Sequence, residues 1–333
     1  MVRAFIFGKF LPFHKGHEAM IKFALTKCDN LTVLVCCSDK EKIKDITRKA
    51  WIENTFEGNE NILIRSYNYL ESELPNTSKS SESVSRIWSN IFIKEVPECS
   101  VLVTSEEYGK YVANYMGIKH IGFDPERSNV SISATEIRKD IFSTWPYLPD
   151  SVKKDLSIKV VVLGTECTGK TTLTERLAKH FNCSFVKEAG RDLIADSKSF
   201  EFNDLDLVVS EHAKRIEKSI IGKSPLIIID TDIHITKSYA KFIFDKEIEV
   251  ESTIYNSNKA DLYLYLNNDV VFLQDGTRLS ESNRNLLDKS HRQIIHQHNI
   301  NITEITGHWE QRYEKAVEQI NKLIATNRQK HWT

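Results

Sequence analysis

Short apolar runs alternate with segments of helical spacing over the first 140 or so residues of the chain. A continuous apolar run is typical of a strand that is buried on both faces of a parallel sheet. The runs predict strands at residues 4–7, 31–37, 61–66, 100–104 and 119–123, with a helical stripe made by Met20, Ile21, Ala24 and Leu25. Strands that alternate with helices indicate an α/β fold with a parallel sheet and a ligand site at its carboxyl edge.

The second half repeats this alternation. Apolar runs at 160–163, 226–230 and 262–266 predict further parallel strands, and residues 309–326 fit an amphipathic C-terminal helix. Between the halves, the stretch 143–150 carries two prolines, which is typical of a connection between domains. We therefore predict a first domain at 1–145, a linker at 146–157 and a second domain at 158–333.

The composition narrows the class of protein. The 333 residues carry a net charge of −1 and are 41% hydrophobic, so no overall basic charge favours a nucleic-acid partner. The six cysteines form no C-x-x-C pair and fall mostly in apolar runs, which is typical of small buried side chains in a reducing compartment. No leader pattern and no apolar run of membrane-spanning length is present, so we expect a soluble cytoplasmic protein without membrane insertion.

A phosphate-binding loop lies between the apolar run at 160–163 and a helical pattern. The stretch 164–171 fits G-x-x-x-x-G-K-[ST], in which glycines let successive backbone N–H groups face a polyphosphate. Lys170 is expected to reach the terminal phosphates, and the Thr171 hydroxyl is expected to hold Mg²⁺. The alternative is an ordinary strand-to-helix turn. The predicted nucleotide contacts are Gly164, Thr168, Gly169, Thr171 and Thr172.

Acidic and basic residues downstream fit the same chemistry. Asp230 and Asp232 end an apolar strand, where a P-loop enzyme carries the carboxylate on the Mg²⁺ side, although a plain strand-end turn is the alternative. The sequence does not separate a metal ligand from a group that orients the acceptor hydroxyl. Arg278 and Arg284 follow the strand at 262–266 and suit a lid over the transferring phosphate. A solvated helix face is the alternative for Arg284 and the favoured interpretation of Arg292.

The loop after the first strand carries a second candidate site. His14, Gly16 and His17 form His-x-Gly-His at the predicted start of a helix, where imidazoles and backbone N–H groups suit a triphosphate. A metal site or two surface histidines are the alternatives, and a zinc site would require further grouped ligands. The preceding residues of this loop that are expected to contact the nucleotide are Gly8, Lys9 and Phe10.

The segment 132–138 supplies the partner of that loop. Ser133 and Thr135 are placed to cap a helix, with Arg138 one turn further on, so that hydroxyls, N–H groups and a guanidinium converge on one anion. The two motifs together resemble the nucleotidyltransferase superfamily, with its (H/T)-x-G-H and I-S-x-T-x-x-R signatures and Rossmann-like fold. The resemblance implies that His14 and His17 stabilise charge at the α-phosphorus, while Ser133, Thr135 and Arg138 hold the β- and γ-phosphates.

The substrate is indicated by three further stretches. Residues 105–109 (Ser-Glu-Glu-Tyr-Gly) and 124–127 (Asp-Pro-Glu-Arg) resemble the nicotinamide mononucleotide (NMN) adenylyltransferase domain of NadR-type proteins. Trp88 stands where related enzymes carry a tryptophan that stacks on the nicotinamide ring, and a core tryptophan is the equal alternative. Residues 76–85 are polar and suit a flexible loop over that site.

The resemblance extends over the second half. The phosphate loop, Glu188 with Arg191, the Asp-Thr-Asp strand end and an Asp-Gly-Thr-Arg lid occur in the order of the ribosylnicotinamide kinase domain of NadR-type proteins. Glu188 and Arg191 are then expected to bind the riboside. Lys187 and Ala189 replace an expected aromatic pair, which leaves the nucleoside specificity open. Some of these proteins have an N-terminal helix-turn-helix domain, whereas this chain starts at the first strand, so a DNA-binding role is not expected.

These features together predict a bifunctional NAD salvage enzyme. The second domain would use ATP and Mg²⁺ to phosphorylate nicotinamide riboside to NMN, and the first would join ATP and NMN to give NAD and pyrophosphate. One alternative is a coenzyme A synthase-like fusion of adenylyltransferase and kinase. The other is a non-catalytic sensor of NAD and ATP. Whether the chain forms a homo-oligomer is left open by the sequence.

Overall fold

The computed structural model describes residues 1–75, 81–126, 128–194, 200–272, 280–330 and 332, and it gives no side-chain description of 328–330. The chain divides into two compact units, one built on Met1–Asp155 and the other on Leu156–Asn327. Each unit contains one five-stranded sheet with helices between its strands.

The first unit is an α/β domain with an entirely parallel sheet. Its strand order is β3-β2-β1-β4-β5, so the first strand lies in the middle of the sheet. All five predicted strands are present. The strands are β1 (Arg3–Gly8), β2 (Asn30–Ser38), β3 (Ile62–Tyr69), β4 (Val101–Thr104) and β5 (Lys119–Gly122). The helices are α1 (Lys15–Leu25), α2 (Asp45–Thr55), α3 (Glu82–Glu95), α4 (Tyr108–Met116), α5 (Ala134–Lys139), α6 (Ile141–Thr144) and α7 (Asp150–Leu156).

The central strands of this sheet are buried because helices cover both faces. Phe5 of β1, Leu34 of β2 and Leu102 of β4 are fully buried and pack with Phe92 of α3 in one cluster. Parallel strands that are covered on both faces need such continuous apolar runs. The apolar core of this unit therefore lies between the sheet and the helices that pack on it.

The second unit is also a parallel α/β domain. Its strand order is β10-β9-β6-β8-β7, again with the first strand of the unit in the middle. Its strands are β6 (Ile158–Leu163), β7 (Ser184–Val186), β8 (Leu226–Asp230), β9 (Leu262–Leu266) and β10 (Ile302–Ile305). Its helices are α8 (Lys170–His180), α9 (Gly190–Leu193), α10 (Asp204–Ile220), α11 (Ile233–Phe244), α12 (Ser252–Ser257), α13 (Glu281–Gln297) and α14 (Trp309–Lys330).

Two edge strands of this sheet were not predicted from the sequence. β7 has three residues and β10 has four, and only one residue of each is fully buried. Edge strands bury one side only and often lack the long apolar run that marks a central strand. The region predicted as a linker, 146–157, also has structure, since it contains α7 with the buried side chains of Val152 and Leu156.

The six cysteines are thiols that differ in burial. Cys36, Cys37 and Cys99 are buried, and the other three are partly buried. Burial raises the pKa of the Cys37 and Cys99 thiols to about 11. A thiol with a raised pKa is a poor nucleophile at neutral pH, so these two act as packing groups.

Candidate active sites at the carboxyl edges of the two sheets

His14 is fixed at the start of α1 in the first unit. It is the N-cap residue, and its Nδ1 accepts a 3.1 Å hydrogen bond from the Gly16 N–H. The ring is only 5% exposed. Because Nδ1 acts as the acceptor, the proton of the neutral ring is on Nε2, where it can be donated. The cap therefore sets both the orientation and the tautomer of the predicted phosphate-binding imidazole.

His17 lies directly against His14. The two imidazoles are stacked with 3.7 Å between centroids, and the edge of Phe10 packs against His17 at 4.9 Å. A Cβ at Gly16 would come within 3.0 Å of the His14 ring. Contacts this short force the neighbour to shift, so any larger residue at Gly16 displaces His14. This close approach explains why glycine separates the two histidines.

Arg138 connects the motif at 132–138 to the loop that carries His14 and His17. Its guanidinium donates to the Leu11 carbonyl at 2.5 Å and to the Thr135 hydroxyl at 3.0 Å. Burial lowers the pKa of Arg138. Guanidinium groups nevertheless stay protonated in proteins. Ser133 is the N-cap of α5 and forms a capping box with Glu136. The structure thus brings Arg138 and Thr135 to the histidine loop, and it gives Ser133 a helix-capping role.

A buried ionic cluster supports the same loop and was missed in the sequence analysis. Glu41 accepts ion pairs from Lys9 at 2.9 Å and from Arg48 at 2.7 Å. Burial pulls the pKa of Glu41 up, but the Lys9 and Arg48 contacts outweigh it and keep the pKa below its usual value. Arg48 is fully buried and also donates to the Lys9 carbonyl. A lone arginine in an amphipathic helix gives no sequence signal for such a contact.

A cavity of about 280 Å³ opens beside this loop. Gly8 and Lys9 line it together with Arg138, and aromatic side chains form its other wall. Trp88 packs on Phe92 in the core while it lines the cavity, and its indole N–H donates to the Pro75 carbonyl at 3.1 Å. The two interpretations of Trp88, core residue and substrate contact, are therefore compatible. The predicted loop at 76–85 is described only from residue 81 onward.

Tyr108 and Asp124 come from the two stretches that resemble the NMN adenylyltransferase domain, and they have different surroundings. Tyr108 is partly buried and lines the cavity, and like Trp88 it packs against the apolar cluster around Phe92. Asp124 accepts hydrogen bonds from Ser128 and Asn129, so its carboxylate closes the loop before α5. Arg127, the last residue of that stretch, lies outside the described residues.

The P-loop of the second unit follows β6 as predicted. Gly164 has a φ of 137°, and a Cβ at that position would lie 2.6 Å from the Leu266 carbonyl oxygen at the end of β9. Both the backbone angle and the close approach require glycine. Lys170 is buried at the start of α8 and donates to the Thr165 carbonyl at 3.0 Å. The predicted contacts Thr168, Gly169 and Thr172 lie in this loop and the first turn of α8.

The two aspartates at the end of β8 make different contacts. Asp230 is 1% exposed and accepts a 2.5 Å hydrogen bond from the Thr171 hydroxyl. Asp232 caps α11 and lies 2.5 Å from His234 Nδ1. Thr231 between them has a positive φ of 71°, which turns the chain and directs the two carboxylates to different neighbours.

A cavity of about 370 Å³ lies next to the P-loop. Asp232 lines it but Asp230 does not. Glu188 and Arg191 form an ion pair of 3.2 Å at its wall, and Tyr239 from α11 faces it with a hydroxyl 3.5 Å from Glu166. The cavity is thus lined by carboxylates, cations and one phenol ring, together with the apolar side chains of Ile194, Phe200, Leu205, Val208 and Ile235.

Lys187 and Ala189, which replace the aromatic pair expected from the resemblance, have different surroundings. Ala189 is buried at the wall of this cavity, whereas the Lys187 ammonium lies 5.9 Å from the ring of Phe185. Arg278 and the Asp-Gly-Thr-Arg stretch lie outside the described residues. Arg284 is not on a solvated face, since it is 3% exposed. Arg292 is partly exposed and pairs with Asp288 and Glu304.

The described residues hold no cluster of three or more His, Cys, Asp or Glu side chains arranged to bind a metal ion. They also contain no helix that combines the length and apolar character needed to span a membrane.

Family models match the two halves separately. Residues 5–140 match the cytidylyltransferase-like family, and residues 159–312 match the AAA domain family. The first match contains the histidine loop and the Ser133–Arg138 motif, and the second contains the P-loop. These matches confirm the predicted fold of two α/β domains, each with a parallel sheet.

Curated relatives and solved structures match almost the whole chain. The chain is 26% identical over 97% of its length to the trifunctional NAD biosynthesis/regulator protein NadR of Escherichia coli strain K12, and 27% identical over 96% to that of Salmonella typhimurium strain LT2. The matches cover 83% and 82% of those proteins.

Two crystal structures of NadR, one with NR and one with NAD and AMP-PNP, are each 20% identical and superpose with TM-scores of 0.66 and 0.67. The superpositions cover 96% and 97% of this chain and 96% of each solved chain. Both halves match in the predicted order, so the chain is similar to the NadR-type proteins over nearly its whole length.

Proposed function

We propose that the chain is a bifunctional NAD salvage enzyme. Its second unit phosphorylates nicotinamide riboside to NMN, and its first unit transfers an adenylyl group from ATP to NMN. The observation that carries this proposal is that each unit has its own cavity beside its own phosphate-binding loop. The names of the relatives and the ligands of the NadR crystal structures support the same pair of reactions.

In the first unit, a phosphate oxygen of NMN attacks the α-phosphorus of ATP, and the bond to the β-phosphate oxygen breaks to release pyrophosphate. No covalent nucleophile of the protein is needed. His14 presents its Nε2 N–H and Arg138 its positive charge where negative charge develops on the phosphates. Trp88 and Tyr108 line the cavity that would hold the nicotinamide ring, and an aromatic face attracts a cationic pyridinium.

In the second unit, the riboside 5′-hydroxyl attacks the γ-phosphorus of ATP, and the bond to the β-phosphate oxygen breaks to release ADP. We assign acceptance of the hydroxyl proton to Asp232, because it lines the substrate cavity and its orientation is set by His234. Lys170 would supply positive charge to the phosphates, and we propose the same role for Arg278. Glu188 and Arg191 would contact the riboside at the cavity wall.

Thr171 and Asp230 fit a Mg²⁺ site. Their oxygens lie 2.5 Å apart at the end of the P-loop, and hydroxyl and carboxylate oxygens are the ligands that this ion prefers. When bound, the ion would offset the charge of the phosphates. A site with one carboxylate also suits Mg²⁺, which usually takes its remaining ligands from water and substrate phosphates.

The remaining expectations stay predictions. They are a cytoplasmic location, the lack of a nucleic-acid partner and the two domain boundaries at residues 145 and 157. The oligomeric state stays open.

The test is mass spectrometry of the products formed by the purified protein from nicotinamide riboside, ATP and Mg²⁺. Successive formation of NMN and NAD is expected. If the protein formed NAD from added NMN but did not phosphorylate the riboside, only the proposed substrate of the kinase would be wrong. Turnover of phosphopantetheine instead would favour the coenzyme A fusion, and no ATP consumption with any of these substrates would favour the sensor.

A further inference from the structure

Both carboxylate oxygens of Asp232 are held by one residue, His234. Oδ1 accepts a 3.0 Å hydrogen bond from the His234 backbone N–H at the start of α11, and Oδ2 lies 2.5 Å from Nδ1 of the imidazole ring. The backbone contact is an ordinary helix N-cap, so the ring contact is additional to what capping requires. The ring contact fixes the direction of the carboxylate at the wall of the substrate cavity, which Asp232 lines.

The His234 ring is in turn held from its other nitrogen. Its Nε2 lies 3.0 Å from the Tyr255 hydroxyl, and that hydroxyl lies 3.3 Å from Nδ1 of His298. The rings of His234 and Tyr255 meet edge to face, with 5.6 Å between their centroids. His234 is 3% exposed, whereas Tyr255 and His298 are partly buried. A continuous chain of hydrogen bonds therefore links Asp232 to His298.

The carboxylate sets the direction of these hydrogen bonds. An ionised carboxylate only accepts, so Nδ1 of His234 carries a proton. On the neutral ring, Nε2 is then an acceptor and takes the hydrogen bond from the Tyr255 hydroxyl. The phenol oxygen in turn accepts from Nδ1 of His298. Each donor thus points toward Asp232, and the Tyr255 hydroxyl is the group that holds Nε2.

The chain joins three helices that are far apart in the sequence. His234 lies in α11, Tyr255 in α12 and His298 at the end of α13. Among the residues that the structure describes, none of these three lines the substrate cavity. They reach it through Asp232. Hydrogen bonds that end on a reactive group from outside the cavity are how proteins lock such a group in its productive orientation.

We propose that His234, Tyr255 and His298 position the Asp232 carboxylate for phosphoryl transfer. The proposal rests on the proposed kinase function of the second unit, in which Asp232 accepts the proton of the riboside 5′-hydroxyl. The chain keeps the carboxylate directed at that hydroxyl, so that the proton moves to Asp232 as the hydroxyl oxygen bonds to the γ-phosphorus. His234, Tyr255 and His298 are positioning residues, because they act through Asp232.

The substitution Tyr255→Phe tests the chain, because it removes one hydroxyl and keeps the ring. A displacement of about 1 Å can cost about 10²-fold in rate, so partial loss of this support should lower the kcat of riboside phosphorylation by about 10-fold. The KM values for the riboside and ATP should not change, because the cavity wall is intact. NAD formation from NMN should keep its rate, because it belongs to the first unit.

A double-mutant cycle separates positioning from general destabilisation. A residue that acts through Asp232 loses its effect once Asp232 no longer accepts the proton. Tyr255→Phe should therefore have little effect on kcat in the Asp232→Asn background. Equal losses in the wild-type and Asp232→Asn backgrounds would overturn the proposal, as would an unchanged kcat in Tyr255→Phe.

The control is Tyr313→Phe, which removes another tyrosine–histidine hydrogen bond of the same unit. The Tyr313 hydroxyl lies 2.7 Å from Nδ1 of His180, and neither residue is among those that line the described cavity. This variant should keep the wild-type kinase rate. Thermal unfolding is measured on both variants. A lower melting temperature with an unchanged kcat in Tyr255→Phe indicates a structural role and contradicts the proposal.

If the wild-type protein did not phosphorylate the riboside, the proposed substrate would be wrong. Proton NMR of the ligand-free protein would still decide whether the chain holds the His234 ring. The imidazole N–H proton that faces Asp232 is identified by its absence in His234→Asn. Its resonance should shift in Tyr255→Phe and stay in place in Tyr313→Phe, and an unshifted resonance in Tyr255→Phe would overturn the proposal.

Discussion

The Thr171 hydroxyl donates a 2.5 Å hydrogen bond to Asp230, which ties the end of the P-loop to the end of β8. Asp232, two residues further on, instead contacts His234 and lines the substrate cavity. These contacts support the proposal that Asp230 lies on the metal side and Asp232 on the acceptor side.

This division predicts different kinetics for two conservative variants. Asp230→Asn should raise the Mg²⁺ concentration needed for half-maximal riboside phosphorylation by about 10-fold or more, because it removes an anionic oxygen ligand. Asp232→Asn should lower kcat by about 10²-fold to 10⁴-fold, with little change in the Mg²⁺ requirement. The measurement is a Mg²⁺ titration of the initial rate. Exposed Asp206 in α10 provides the control, Asp206→Asn. Identical behaviour of both variants would refute the assignment.

The two reactions should be separable by mutation. Lys170→Ala should abolish riboside phosphorylation and spare NAD formation from NMN, because Lys170 belongs to the P-loop of the second unit. His17→Ala should do the reverse, because His17 lies in the first unit beside His14. Both rates are measured on each variant with NMN and riboside supplied separately. Loss of both activities in Lys170→Ala would contradict the idea of two independent sites.

Gly16→Ala should damage adenylyl transfer without unfolding the first unit. The added methyl group would lie 3.0 Å from the His14 ring and push it from its N-cap position. A 1 Å displacement can cost about 10²-fold in rate, so a shift of a few tenths of an ångström should cost about 3-fold or more. Alanine is otherwise better than glycine inside a helix by about 1 kcal/mol, so the melting temperature should not fall. The measurement is kcat for NAD formation beside thermal unfolding.

A matched glycine is available for comparison. At Gly122, the first contact of an added methyl group is 4.0 Å away, on the His120 ring. Gly122→Ala should therefore keep the adenylyl transfer rate. Equal losses in the two variants would mean that His14 placement is not the cause.

Trp88→Leu should weaken the binding of NMN more than that of ATP. The leucine retains apolar contact with Phe92 but removes the aromatic face from the cavity. Loss of a partly desolvated cation–π contact of about 1–2 kcal/mol corresponds to a rise of about 5-fold to 30-fold in the KM for NMN. Reduced NMN has an uncharged ring, so its binding should change less. The KM values for NMN and ATP, with the dissociation constant of reduced NMN, test this, and equal losses for the charged and reduced rings would exclude a charge contact.

The central strands of both sheets could be predicted because they are buried on both faces. Val160 to Leu163 and Ile227 to Ile229 are all fully buried and form apolar runs that admit no other placement. The edge strand β10 could not be predicted, because three of its four residues are partly or fully exposed. A continuous hydrophobic run predicts a strand that is buried on both faces. It therefore misses an edge strand, which is buried on one side only.

The backbone geometry of the predicted phosphate-binding loop follows from its sequence for a different reason. The residue types of this loop are dictated by local backbone geometry, as Gly164 shows with its positive φ and its contact with Leu266. The separate contacts of Asp230 and Asp232 depend on the unusual φ of Thr231, and the support of the histidine loop depends on Arg48. The φ of Thr231 is a backbone state, and the Arg48 contact joins distant segments of the chain. Residue spacing in the sequence encodes neither.

His291 makes the stability of the second unit dependent on pH. Burial lowers its pKa from the usual 6.5 to about 3, with a further contribution from the charge of Lys170. Between these two pH values the unfolded chain binds a proton that the folded protein does not. The free energy of unfolding should therefore be fully maintained above pH 6.5 and should fall as the pH drops toward 3, by about 1.4 kcal/mol per pH unit from this one group.

The variant His291→Gln isolates this contribution. Its side chain does not titrate, so the pH dependence of its unfolding should be less steep than that of the wild type by one proton between pH 4 and pH 6. The measurement is the unfolding transition of the second unit by denaturant at several pH values. Other buried histidines such as His212, whose pKa is also lowered by burial, contribute equally to both proteins and cancel in the difference. Parallel pH profiles would show that His291 is protonated in the folded state, and hence that Lys170 and the buried face of α13 are not held as closely as the structure places them.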